Sequence, residues 1–316
     1  MLLRVAMLSL GLLLSDAITA AEKPRPPLSL ICPVQTNWTR LLAADGAFDG
    51  PSAINTLINN VINGKLPQVR QQLDAMNLAD ATRWRQSALV IAAYAREPAM
   101  VDGLLDDGAL VDGQGRLPGV DGKSRDRVIA QMKKDPQWTS VDPDLRAGLE
   151  GGPTWGATLL FDSRIEGPLA TIAAQCGDLA TLDVALNHHA NLKTRTPHSN
   201  DVMVMAVQAG NPVIVKRLLD HGADPTSAPT GSADGLAAAI VEGNSAMVTL
   251  MLDHGADPCA EDRSRQRSLA VYQAKHPGQK RPLVSAAEIA RRKNLPDDLV
   301  ARLACPGFDT ASVTSH

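Results

Sequence analysis

Five residues occur twice. His221-Gly222-Ala223-Asp224-Pro225 returns as His254-Gly255-Ala256-Asp257-Pro258, an offset of 254 − 221 = 33. Self-similarity at a fixed period constrains a chain more than composition does. Each copy is a small unit that cannot bury its apolar face alone, so neighbouring copies must stack. The register extends beyond the pentapeptide. Gly177, Gly210 and Gly243 follow one another at the same spacing. Four residues ahead of each stands an alanine: Ala173, Ala206, Ala239. Five after each is an aliphatic residue (Leu182, Val215, Val248) and nine after each a leucine (Leu186, Leu219, Leu252). The pattern predicts a helix–turn–helix pair. The glycine supplies the positive φ that ends the first helix. The positions five and nine beyond it lie one turn apart on one face of the second. Gly-Ala-Asp then stops the second helix.

This pattern resembles the ankyrin repeat, and the helix-plus-Gly-Ala-Asp ending carries the resemblance. Ala92, Val101 and Leu105 fit the same template and are followed by Asp107-Gly108-Ala109. Gly64, Val69 and Leu73 fit a weaker first copy, and Ala290, Leu299 and Leu303 a last one. The resemblance implies an all-α ankyrin-repeat solenoid of about six helix-turn-helix units, with a long insertion between units two and three. The chain departs from the family in one respect: the Thr-Pro-Leu-His start of the consensus is absent from every copy, which puts local bracing of each unit in doubt. The first and last copies should be atypical, since they cap the stack.

In chain order, 1–21 reads as a secretory signal. Arg4 gives the positive start, Val5 to Leu14 an apolar run, and Thr19-Ala20-Ala21 small residues for cleavage. The run is too short to span a bilayer securely, so no stable membrane insertion is expected after cleavage. Residues 22–51 form a leader or cap, 52–110 units one and two, and 111–167 the insertion. Residues 168–263 carry units three to five, 264–284 a basic insertion, 285–305 a capping unit and 306–316 a tail. Only 3% of the residues are aromatic, so Ala, Leu and Val must build the core, which suits thin helix layers. A net charge of −3 predicts no general attraction to nucleic acid. The expected location is outside the cytoplasm: periplasmic in a bacterium, otherwise secreted.

Cys32, Cys176, Cys259 and Cys305 all follow the signal. An even count in an exported chain suggests two disulfides, with three connectivities open. Stacked units lie about 10 Å apart, so Cys259 and Cys305, in the fifth and sixth units, can meet. Cys32 with Cys176 follows by elimination. Small buried thiols are the alternative. No Cys-x-x-Cys occurs, which argues against a redox-active or zinc site.

Two departures from the register stand out. The turns of units two and three, Arg96 and Gly177, are 177 − 96 = 81 apart, and one period less leaves 81 − 33 = 48 extra residues. That stretch carries Trp138, Trp155 and Phe161, with one expected helix near 125–134. A second departure, between Asp257 and Ser285, is read as a basic loop containing Arg265 and Arg267 among other cations. Insertions in solenoids map to loops on one face, often the binding face. Trp84, Trp138, Trp155, Phe161, Arg265 and Arg267 are therefore the candidate partner contacts, with Trp84 placed ahead of the first helix of unit two. Trp is enriched at interface hot spots. It can equally supply the small core that a long insertion needs.

No catalytic set emerges. Gly119 to Ser124 has the wrong glycine spacing for a phosphate loop, and there is no Gly-x-Ser-x-Gly or His-Glu-x-x-His. His188, His221 and His254 recur at one loop site of successive units. A rise of about 10 Å per unit keeps His221 and His254 from sharing one ion. His188, His189 and His198 form a weak alternative; a structural loop role is the simpler one. The expectation is no enzyme, no metal and no cofactor, with a protein partner bound by the scaffold as the resemblance implies. Alternatives are an immunity or inhibitor protein for a secreted toxin, or a ligand-binding or catalytic module in 111–167.

Overall fold

In the computed structural model the described residues are 32, 39–41, 43–46, 48, 52–115, 122–134, 168–193, 202–226, 235–275 and 284–306. The expected signal at 1–21, the residues Trp138, Trp155 and Phe161, and most of the tail lie outside them. Every element of the described residues is a helix.

The chain divides into two compact units, Pro26–Pro197 and, further along, His198–His316. The boundary falls inside the run 168–263 rather than at an insertion. In Pro26–Pro197 the helices are α1 (Ser52–Ile62), α2 (Leu66–Asp74), α3 (Leu78–Ala95), α4 (Pro98–Asp106), α5 (Gly122–Met132), α6 (Leu169–Cys176) and α7 (Leu179–Asn187). They pair as α1/α2, α3/α4 and α6/α7. The first members form a row, α1 on α3 and α3 on α6, while α4 packs on α7. The second unit holds α8 (Val202–Gln208), α9 (Pro212–Asp220), α10 (Gly235–Glu242), α11 (Ser245–Asp253), α12 (Ala260–Lys275), α13 (Ala286–Arg292) and α14 (Asp297–Arg302). Its pairs are α8/α9, α10/α11 and α13/α14, with α8, α10 and α13 in one row and α9, α11 and α14 in the other.

The turn inside each pair sits where the register puts it. Gly177, Gly210 and Gly243 have φ of 64°, 73° and 70°, and Arg96 and Asn294 adopt the same left-handed conformation at 58° and 56°. The residue after the turn reaches back to the alanine four before it: Asp178 N–H donates to the Ala173 carbonyl at 3.0 Å and Asn244 N–H to that of Ala239 at 3.1 Å. This closes the last helical turn in the manner of a Schellman motif. Ala92, Ala173, Ala206, Ala239 and Ala290 are fully buried there. Two of the second helices, α9 and α11, restart with Asn caps: Asn211 Oδ1 accepts from Val213 N–H at 3.0 Å, and Asn244 Oδ1 from Met247 N–H at 3.1 Å.

The buried stripe of the second helices takes in the expected positions and, in the middle pairs, one more. Val101, Leu182, Val215 and Val248, five beyond the turn, are fully buried as the template requires. The residues eight beyond, Leu104, Ala185, Leu218 and Met251, are also fully enclosed. Nine beyond, Leu73, Leu105, Leu219 and Leu303 are buried as expected, whereas Leu186 and Leu252 are only partly covered. Three residues advance a helix by 300° and four by 400°, so both positions lie near the stripe. In α4, α7, α9 and α11 the first of them is covered more deeply.

The segment read as a basic loop after Asp257 is instead the 16-residue helix α12. Arg263 of α12 pairs with Asp257. Asp262, wholly buried, accepts the N–H of Ala286, the first residue of α13, on Oδ1 at 2.7 Å. Disulfides join Cys32 to Cys176 and Cys259 to Cys305, one within each unit. The insertion helix α5 takes in most of the 125–134 stretch expected to be helical.

Candidate interaction surface

The twice-repeated pentapeptide is accounted for atom by atom. His221 Nδ1 lies 2.9 Å from the Arg217 carbonyl, and His254 Nδ1 2.8 Å from that of Leu250. Each ring therefore caps its own helix end. Gly222 and Gly255 take φ of 81° and 84°. Ala223 and Ala256 then donate back to the Leu218 and Met251 carbonyls at 3.0 Å each, while their methyl groups are buried. Asp224 Oδ1 accepts from Thr226 N–H at 2.8 Å, and Asp257 Oδ1 from Cys259 N–H at 2.8 Å. The Arg263 guanidinium, and then the Cys259 N–H, hold the Asp257 carboxyl below its ordinary range.

His188, at the matching place after α7, meets two acids. One ligand atom from each of Asp102, Asp106 and His188 lies within 4.8 Å of the others, a spacing that could surround a cation. The series to which it belongs gives it a simpler role. Within each unit, consecutive second helices are joined at this level by an arginine or histidine and an aspartate. Arg70 meets Asp107 at 2.7 Å and His188 meets Asp102 at 2.8 Å. His254 stands 4.0 Å from Asp220, and Arg302 2.7 Å from Asp253. Lys216, four residues before Asp220, hydrogen-bonds it and holds its carboxyl below the ordinary range. These are exposed pairs between stacked repeats, each worth little alone. The spacing of charged residues along α2, α4, α9 and α11 carried that signal. The sequence supports a structural loop role for the recurring histidines, but their pairing with aspartates of the neighbouring repeat is visible only in the structure.

Of the candidate contacts, Trp84 is corrected. It sits inside α3, not ahead of it, and is 9% exposed, with the Arg83 guanidinium 5.3 Å from its ring centre. It is a core residue, because α3 is 18 residues long and starts ten residues earlier than the repeat requires. Arg265 and Arg267 lie on α12. Trp138, Trp155 and Phe161 fall outside the described residues. Among the described residues, the large apolar side chains left in solvent are Leu78, Leu110 and Val213. No described helix is long and apolar enough to cross a membrane.

Paired antiparallel helices, stacked with left-handed turns and Gly-Ala-Asp ends, define a helical-repeat protein. Residues 170–262 match the family model described as "Ankyrin repeats (3 copies)", so the repeat over that stretch is the ankyrin repeat. Among solved structures, the ankyrin repeat domain of Bcl-3, described as "a unique member of the IkappaB protein family", is similar at 18% identity and a TM-score of 0.46. The match covers 81% of this chain and 98% of that one. No curated protein matches the chain.

Proposed function

We propose that this protein is an exported, non-catalytic scaffold that binds a protein partner, and that all six helix pairs act as ankyrin units. Ankyrin repeats generally mediate protein–protein interaction, and the repeat stack is the observation that carries the proposal. The recurring polar residues fit it as well. His, Asp and Asn of the repeated segments cap helices and close turns, which is work for a scaffold. Export is supported by the pairing of all four cysteines, since disulfides persist in oxidising compartments. The partner contacts belong to the departures from the register: the insertion with Trp138, Trp155 and Phe161, and the helix bearing Arg265 and Arg267.

The test begins with crosslinking in the native compartment to identify the bound protein. Affinity and melting temperature are then measured for Trp138→Ala and Trp155→Ala. An affinity loss of about 2 kcal/mol or more, roughly thirtyfold, at an unchanged melting temperature marks the residues as anchors. A lowered melting temperature at full affinity per folded molecule places them in a core and moves the site to α12. Export is read from the mature N-terminus, expected after Ala21.

A further inference from the structure

The two disulfides differ in their surroundings. Cys32 and Cys176 are both 0% exposed, whereas Cys259 and Cys305 are each partly exposed. The exposed bond belongs to the last helix pair, α13/α14, and that pair is short. α13 has seven residues and α14 six, and the buried side chains of α13 are alanines, Ala286, Ala287 and Ala290. The pair packs on one side, α13 on α10 and α14 on α11, with no further pair beyond it among the described residues.

Two ties reach this pair from the start of α12. Asp262 Oδ1 accepts from the N–H of Ala286, at the start of α13, at 2.7 Å. Cys259, just ahead of α12, is bonded to Cys305, beyond the end of α14. Arg302 of α14 also meets Asp253 of α11 at 2.7 Å, but that pair is exposed and worth little. A buried hydrogen bond therefore holds the start of α13, and an accessible covalent bond holds the end of α14. The Arg263 N–H donates to the Cys259 carbonyl at 3.0 Å, which makes Cys259 the N-cap of α12. The nearby Asp257 carboxylate is matched by the Arg263 guanidinium. A thiolate left on Cys259 then lies at the positive end of a 16-residue helix, which makes it the better leaving group of the two.

We propose that Cys259–Cys305 is a thiol-exchange site, and that its reduction by a dithiol frees α14 while the rest of the His198–His316 unit stays folded. Accessible disulfides exchange readily, whereas buried ones resist attack. A thiolate of the dithiol attacks the Cys305 sulfur and displaces Cys259 as a thiolate. The second thiol then attacks the mixed disulfide, releases Cys305 and leaves the reductant as its own disulfide. Two electrons and two protons pass to the protein. Asp262 keeps the start of α13 in place, so the reduced cap opens from its far end, where α14 packs on α11. Cys32–Cys176 takes no part. The inference stands apart from partner binding, because the isolated chain displays it.

The native chain is treated with dithiothreitol, quenched at intervals by alkylation and mapped without further reduction. Alkylation at Cys259 and Cys305 is expected to be about tenfold faster or more than at Cys32 and Cys176. Equal rates for the two pairs, or faster opening of Cys32–Cys176, overturn the inference. Hydrogen exchange is then followed by mass spectrometry on the chain alkylated only at Cys259 and Cys305. Exchange over 297–302 is expected to be about tenfold faster or more than in the oxidised chain, with α8 and α9 unchanged. Unchanged exchange over 297–302 would make this an exposed disulfide that controls nothing, and overturns the inference. A loss of protection that reaches α8 and α9 would make the bond a support of the whole unit, and overturns it as well.

Discussion

Position along a repeat decides what a leucine is worth. Leu218 is fully enclosed, while Leu252, nine beyond its own turn, is only partly covered. Leu218→Ala should therefore cost about 2–5 kcal/mol, and Leu252→Ala clearly less; denaturant melts of the two variants give the comparison. Equal costs would mean that the stripe runs one residue further on. Tyr94 offers a second test at this scale. Desolvation pushes its hydroxyl up to about 12 from an ordinary 10. The unfolded chain ionises first, so the stability tied to the neutral phenol is complete below pH 10 and falls as pH rises from 10 towards 12. An absorbance titration at alkaline pH should show a late phase that Tyr94→Phe removes. A phase already complete near pH 10 would show an open, hydrated phenol. The alanines four before each turn and the aliphatics five after it were legible in the sequence, because the repeat imposes the same neighbours on every copy. The difference between positions eight and nine was not, since both lie within a helical turn of the stripe and only the adjacent pair decides which is covered.

Helices in this chain are bounded by short polar signals, and most of these could be read directly. Gly at a left-handed turn, Asn at a second-helix start and Gly-Ala-Asp at its end each have one economical backbone solution. Two elements escaped. The basic run after Asp257 suggests a loop, but its anchoring is long-range: Asp262 bonds the N–H of Ala286, 24 residues on. Asp262→Ala should destabilise the His198–His316 unit by about 1–3 kcal/mol, the cost of a buried hydrogen-bond partner removed from a helix start. Calorimetry or denaturant melting checks it, and a change within experimental error would detach α12 from the cap. Trp84 was likewise placed ahead of its helix, because nothing in the 33-residue period announces that α3 begins early. Its burial follows from that extra length.

At the scale of the molecule, each of the two compact units carries its own crosslink. Cys32–Cys176 spans a sequence separation of 144 and Cys259–Cys305 one of 46. In the chain-entropy model such closures stabilise by roughly 5 and 4 kcal/mol, less any cost in the folded state. The second pairing could be argued from the stacking distance of adjacent repeats. The first was reached only by elimination, because no local pattern ties the leader to the third unit. The central claim is a stack of helix pairs closed by two disulfides, with recurring polar residues that serve the fold. It is tested most directly by peptide mapping, without reduction, of protein taken from its native compartment. The account predicts two linked pairs, Cys32 with Cys176 and Cys259 with Cys305, and no alkylated thiol. Free thiols at all four positions, or a pairing such as Cys32 with Cys259 that joins the two units, would contradict it.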